Sequence, residues 1–163
     1  MKTLNKYMRK LPGLKKGDTF ILLSFYNISL HTKQEIKVRI KFEIDSSDFI
    51  YIYRRDIKID YLSLLKYLFP SCKINDCQVS NKCGKIKGYP DFELIGKSED
   101  KDKFFIEVKS KTDFLSESQL SFAYNYENSF VMFIKNIEEE IMPSDDVFTD
   151  ANWLHNKQKE NGN

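Results

Sequence analysis

Gly88-Tyr89-Pro90-Asp91-Phe92-Glu93-Leu94-Ile95, a polar segment from Gly96 to Asp102, and then Phe104-Phe105-Ile106-Glu107-Val108-Lys109 form the stretch on which the chain is organised. Two runs of alternating apolar residues flank a loop rich in turn formers, which is the pattern of a β-hairpin. A symmetric antiparallel register centred on Glu99 sets Asp91 opposite Glu107, where cross-strand Cβ atoms lie about 4.5–5.5 Å apart. Tyr89, Asp91, Glu93, Phe105, Glu107 and Lys109 then share one face. Phe92, Leu94, Phe104, Ile106 and Val108 share the other, an unbroken apolar row fit for a core.

Two carboxylates facing each other across a sheet repel and cost stability. A hard divalent cation between them reverses the sign, since Mg²⁺ is typically held by one or two carboxylates with waters and phosphate oxygens. Lys109 follows Glu107 on the same face, where it could hold a water or a phosphate oxygen beside the metal. Asp, Glu and Lys on one face suit metal-assisted phosphodiester hydrolysis: the cation lowers the pKa of bound water and neutralises charge on phosphate. The plainer alternative is a solvated sheet face with scattered charges.

Pro90-Asp91, a spacer and Glu107-Val108-Lys109 resemble the motif of the PD-(D/E)XK nuclease superfamily. Gly88 before Pro90-Asp91, the polar turn with Asp113, and Leu115-Ser116-Glu117-Ser118-Gln119 look like its VRR-NUC-type branch. The resemblance runs from Gly88 to the strand near Phe133. It implies an α/β fold with a mixed-sheet, restriction-endonuclease-like core in the order αβββαβ. It also implies a DNA endonuclease acting on repair, recombination or replication intermediates. Asp91 and Glu107 would ligate Mg²⁺ or Mn²⁺, with the Val108 carbonyl as a further ligand. Lys109 would orient or help activate the attacking water, and Gln119 would join the site. The family usually carries another acid in a helix before the Pro-Asp strand. Asp56 and Asp60 are the nearby candidates, and neither sits in a clear motif. Ser116 and Gln119 also form a capping box, with Leu115 and Leu120 placed for a hydrophobic staple. Gln119 is therefore a cap, a site residue, or both.

The chain has 163 residues, enough for one domain with a real core. Thirteen Phe and nine Tyr argue against disorder. A net charge of +2 gives no global field for polyanions, so a nucleic-acid surface must be a local patch. The early residues lack an uninterrupted apolar stretch of signal-peptide type, and Phe20–Phe25 falls far short of the roughly 20 residues of a membrane span. The expectation is a cytoplasmic protein with no membrane partner. Asn27-Ile28-Ser29 would then be an unused glycosylation triplet.

Residues Thr19–Tyr26, Glu35–Ile44 and Asp48–Arg54 read as three strands of an antiparallel meander, a β-rich N-terminal extension over residues 1–55. In the second strand Ile36, Val38, Ile40 and Phe42 face one way and Lys37, Arg39 and Lys41 the other. Three cations in a row could track a phosphate backbone, or simply form the solvated side of a sheet. Lys111, in the polar turn after Lys109, is a fourth nucleic-acid-binding candidate. Phe49, Tyr51 and Tyr53 share a face that reads as core packing rather than a base-stacking platform. Residues 56–136 read as the core: a helix after an Asp60 cap and before Pro70, an irregular segment to Lys87, the hairpin, a helix over Ser116–Glu127 and a strand from Ser129. That last strand is expected to cross back beside the Glu107 strand. Residues 137–163 read as a polar tail, with Trp153 a candidate anchor.

Cys72, Cys77 and Cys83 are an odd number of thiols in a chain expected inside the cell, which argues against a disulfide framework. Their spacing is not that of a zinc ribbon, and neither His31 nor His155 is nearby in sequence. Three readings follow: a metal-dependent deoxyribonuclease, a nuclease-like fold that binds nucleic acid without cutting it, and a Cys-ligated zinc adaptor. Cutting both strands of a duplex often uses a dimer, so a homodimer is compatible with the first. The geometric expectation is that Asp91, Glu107 and Lys109 converge on one sheet face.

Overall fold

Alternation of apolar and polar side chains sets the hairpin register, and the computed structural model shows the expected one. The structure describes residues 4–29, 34–41, 49–53, 56–78, 86–99, 101–110 and 113–139, with backbone only at 50–53, 56–57 and 135–139. Strands β6 (Phe92–Gly96) and β7 (Lys103–Lys109) pair as Phe92 with Ile106, Glu93 with Phe105, Leu94 with Phe104 and Ile95 with Lys103. One step beyond that ladder, Asp91 comes opposite Glu107.

The other strands are β1 (Thr19–Asn27), β2 (Glu35–Lys41), β3 (Ile50–Tyr53), β4 (Asp56–Ile59), β5 (Cys72–Asp76) and β8 (Ser129–Glu139). Two helices, α1 (Tyr61–Leu68) and α2 (Glu117–Asn125), complete the elements used below. Six strands make one mixed sheet in the order β2-β1-β8-β7-β6-β5. Every pairing in it is antiparallel except β7 with β8. Parallel neighbours need a crossover, and α2 supplies it. The chain order from α1 onward is thus α1-β5-β6-β7-α2-β8.

β1 and β2, antiparallel to each other, belong to the main sheet: β1 pairs with β8 and carries β2 at the sheet edge. One expectation for the N-terminal part needs correction. The third strand does not continue a meander. β3 pairs with β4 in a two-stranded sheet of its own. The reason is local: residues flanking 54–55 alternate on both sides, so a hairpin closes within the segment. Residues 137–139, read as tail, belong to β8, which pairs there with Thr19, Phe20 and Ile21. Residues 140–163, including Trp153, lie outside the described part, as does Phe42.

One sheet face carries the core. Phe92, Leu94, Phe104 and Ile106 from the hairpin pack with Ile21, Leu23, Phe25, Val38, Ile40, Phe130 and Met132, all buried, and Val108 packs against them. Leu64, Leu65 and Leu68 of α1 close this layer from above the sheet, at the spacing of one helix stripe. Phe49 joins the same cluster beside the Tyr67 ring, so its core reading holds. A 3₁₀ turn at Leu4–Tyr7 seals the hairpin end. The Tyr7 hydroxyl donates to the buried Asp102 carboxylate, and Arg9 donates from its backbone and side chain to the carbonyls of Leu68 and Tyr67.

α2 covers part of the second face, with Phe122 at 5.0 Å from both the Phe105 ring of β7 and the Tyr89 ring before β6 and stacked on Tyr126 at 4.4 Å. Among the described residues no helix is long and apolar enough to cross a membrane.

Gly88 lets the strand-entry loop meet α2. Its φ is +85°, and a Cβ there would stand 2.3 Å from the Ser118 carbonyl oxygen. A left-handed backbone costs an L-residue roughly 1–2 kcal/mol before any clash is counted. Gly88→Ala is therefore expected to lower stability by about 2 kcal/mol or more in urea denaturation; an unshifted midpoint would mean that the loop does not rest on α2.

Candidate functional site

The site forms where β6 begins and β7 ends. In an antiparallel pair a residue's N–H and C=O both point to the same neighbour. The Val108 N–H points toward β6 and donates to Asp91 Oδ2 at 2.8 Å, so the Val108 carbonyl lies on that same side. Glu107 is then directed with its backbone toward β8 and its side chain onto the face shared with Asp91. This is a non-hydrogen-bonded pair, the class in which side chains come closest. The other Asp91 oxygen, Oδ1, accepts from Gln78 Nε2 at 3.1 Å.

Glu107 is buried. Its Oε1 accepts from Gln119 Nε2 at 2.9 Å and lies 3.7 Å from Lys109 Nζ. Gln119 caps α2 and also reaches Glu107. Its Oε1 accepts from the Ser116 N–H, its own N–H donates to the Ser116 hydroxyl, and its amide nitrogen is left to hold Glu107. The capping box thereby fixes the rotamer of a residue that reaches the site. The staple partner Leu120 is half exposed.

Burial pushes the Glu107 carboxyl up to about 7, and the Asp91 charge and its hydrogen bond to Glu107 push the same way. Lys109 opposes them without cancelling them. The balance is that of a desolvated carboxyl beside a second carboxylate. Nearby Glu93, also buried, accepts from Tyr89 and Asn75 and pairs with Lys103 at 3.2 Å.

Asp91, Glu107 and Lys109 thus converge on one face, as the alternation requires. The oxygens on offer, two carboxylates and the Val108 carbonyl, are hard donors of the kind that suits Mg²⁺ or Mn²⁺ rather than a thiophilic metal. Among the described residues no group of three or more His, Cys, Asp or Glu converges to hold an ion. Asp60 does not supply a further acid. It caps α1, accepting from the Ser63 N–H and hydroxyl, contacts that lower its pKa. The Asp56 side chain lies outside the described residues.

Two neighbours of Asp91 were not legible from the sequence. Gln78 comes from the turn after β5, in a segment without periodicity. Tyr61, the first residue of α1, is half-buried; burial and the Asp91 charge raise its pKa. Its place in the helical stripe signals only packing.

Lys37, Arg39 and Lys41 are exposed along the edge strand β2. Pairings of Lys37 with Ser24, Ser24 with Phe133 and Phe133 with Lys109 put this row on the same sheet face as Lys109. Three strand spacings of about 4.8 Å separate Lys37 from Lys109, roughly 14 Å in all. Lys41 lies 3.7 Å from Asp18, and the Arg39 guanidinium sits over the Phe20 ring. Lys111 lies outside the described residues.

The cysteines are not a set of free thiols. Cys77 is disulfide-bonded, and Cys72 is a buried free thiol whose pKa burial raises. A sulfur in a disulfide is not available as a zinc thiolate. Cys83 and both histidines lie outside the described residues.

No family model, curated protein or solved structure matches the chain.

The raised Glu107 pKa predicts a pH dependence with a definite sign. Between 4.5, its ordinary value, and about 7, the folded state keeps a proton that the unfolded chain has released. Stability therefore falls as pH rises through this window, by up to about 3 kcal/mol for this one group. In EDTA, urea denaturation of Glu107→Gln should lose that component of the slope. A parent and variant with identical slopes from pH 5 to pH 8 would contradict the assignment.

Proposed function

We propose that this protein is a metal-dependent nuclease that hydrolyses phosphodiester bonds in DNA. The observation that carries the reading is the Asp91–Glu107 carboxyl pair, held at one end of a β-hairpin with Lys109 beside it. The order α1-β5-β6-β7-α2-β8, with β8 parallel to β7, accords with the core implied by the PD-(D/E)XK resemblance. Asp91, Glu107 and the Val108 carbonyl would hold Mg²⁺ or Mn²⁺. When bound, such a cation lowers the pKa of a water and offsets charge on the phosphate.

The chain's own residues then have separate tasks. The Val108 N–H and Gln78 hold Asp91, and Gln119 holds Glu107, so both carboxyls are oriented before a substrate arrives. Lys109 presents an ammonium group next to Glu107, where it orients the attacking water and faces negative charge building on the phosphate. The water oxygen joins phosphorus, the bond to the leaving sugar oxygen breaks, and the proton lost by the water balances the one gained by the leaving oxygen. The exposed row Lys37-Arg39-Lys41 on the same face offers a path for the phosphate backbone.

A second reading is a nuclease-like fold that binds DNA without cutting it. It is favoured by the use of Asp60 as a helix cap, which among the described residues leaves Tyr61 rather than a further acid of α1 near Asp91.

Cleavage separates the two. With Mg²⁺ or Mn²⁺ and a panel of labelled duplex, flapped and single-stranded DNA, the parent should cut at least one substrate. Glu107→Gln and Lys109→Ala should each reduce the rate by about 100-fold or more. Metal-independent cleavage, or rates equal to the parent's in both variants, would remove Glu107 and Lys109 from the chemistry. No cleavage by the parent would favour the second reading.

The basic row is tested by affinity. Changing Lys37, Arg39 and Lys41 together to Ala should weaken DNA binding and flatten the slope of log affinity against log salt by up to about three contacts' worth. An unchanged slope would return that row to plain solvent exposure.

A further inference from the structure

Phe114 is 90% exposed, yet it stands between two anchored points of the chain. On one side the Asp113 side chain accepts from the Ser110 N–H at 3.1 Å, and the Asp113 N–H donates to the Ser110 carbonyl at 3.3 Å. On the other side Ser116 closes the capping box that begins α2. An aromatic ring is thereby carried in water on the segment joining Lys109 to the helix that holds Gln119. By contrast Phe92, Leu94, Phe104, Phe105 and Ile106 of β6 and β7 and Phe122 of α2 are buried. The carboxylate nearest in sequence, Asp113, is turned onto Ser110, and contact with that N–H lowers its pKa.

We propose that Phe114 stacks on an unpaired base adjacent to the phosphate that lies at Asp91, Glu107 and Lys109. The substrate would then be DNA with a single-stranded segment at the cutting point rather than a continuous duplex. The inference rests on the phosphodiester reading of the site. A base within a duplex has both faces covered by its neighbours, whereas an unpaired base has a free π-face for any aromatic side chain. Positive charge is available on the same sheet face as Lys109, in the exposed row at Lys37, Arg39 and Lys41. Basic side chains that follow the backbone, together with an aromatic platform for the bases, are the usual composition of a single-strand site. A second copy of the chain could instead cover Phe114, together with exposed Leu120 and Tyr124 on α2. The exposed basic row favours nucleic acid.

The test measures binding without cutting. Full-length parent, Phe114→Ala and Phe114→Trp are titrated in EDTA against a single-stranded oligonucleotide and a blunt duplex of the same sequence. The single strand carries 2-aminopurine, whose fluorescence is quenched on stacking. The expected result is a loss of single-strand affinity of roughly 5- to 100-fold for Phe114→Ala, with quenching abolished. Phe114→Trp should retain both, and duplex affinity should change much less. Single-strand affinity and quenching unchanged in Phe114→Ala would overturn the proposal. So would a dimer that Phe114→Ala converts to a monomer while affinity per chain stays the same. Cleavage by the parent, assayed separately, isolates the reading beneath. Stacking without any cleavage would keep Phe114 as a base platform and reject the nuclease; cleavage with no effect of Phe114 would do the reverse.

Discussion

Two carboxyl groups facing each other at the end of a hairpin are the constraint on which the rest of this structure depends. The apolar row Phe92, Leu94, Phe104 and Ile106 has to enter the core, and a slip of one residue would turn it outward. Burying that row keeps Asp91 on the face of Glu107, and the register sets the two opposite each other. Desolvation first, and the facing Asp91 charge second, raise the Glu107 carboxyl to about 7. What surrounds the pair organises it without neutralising it: a backbone N–H and Gln78 on Asp91, Gln119 and Lys109 on Glu107. Glu93, one step down the same face, is held by Asn75 and Lys103.

α2 links this pair to the outside of the molecule. Its inner side covers the sheet through Phe122, its first turn supplies Gln119, and the loop before it carries Phe114. The close approach of Gly88 to Ser118 ties the entry of β6 to that first turn. A single short helix therefore connects packing, the orientation of Glu107 and the exposed ring at the rim.

The hairpin, α1, α2 and the β7–β8 crossover were legible because each rests on local chemistry: alternation, an Asp60 cap, a Ser116–Gln119 box and a buried apolar run. Strand partners distant in sequence were not. Nothing in Thr19–Asn27 says that its neighbour is β8, because an apolar strand pairs with any edge that buries it. Likewise Arg54-Arg55 is not a turn-forming pair, so alternation on both sides permits β3 to close on β4 without excluding β2 as its partner. At the site, Asp91, Glu107 and Lys109 follow from the two-residue period alone. Gln78 and Tyr61 reach Asp91 only through tertiary packing of β5 and α1, which no sequence period encodes.

The central claim is that Asp91 and Glu107 together hold one hard divalent cation. Mn²⁺ titration followed by electron paramagnetic resonance tests it most directly, since bound ion loses the sharp signal of free Mn²⁺ and no substrate is needed. The account predicts one Mn²⁺ per chain, displaced by Mg²⁺, with the site lost in both Asp91→Asn and Glu107→Gln variants that still fold. A parent protein that leaves the free Mn²⁺ signal unchanged, or variants that bind as the parent does, would contradict it.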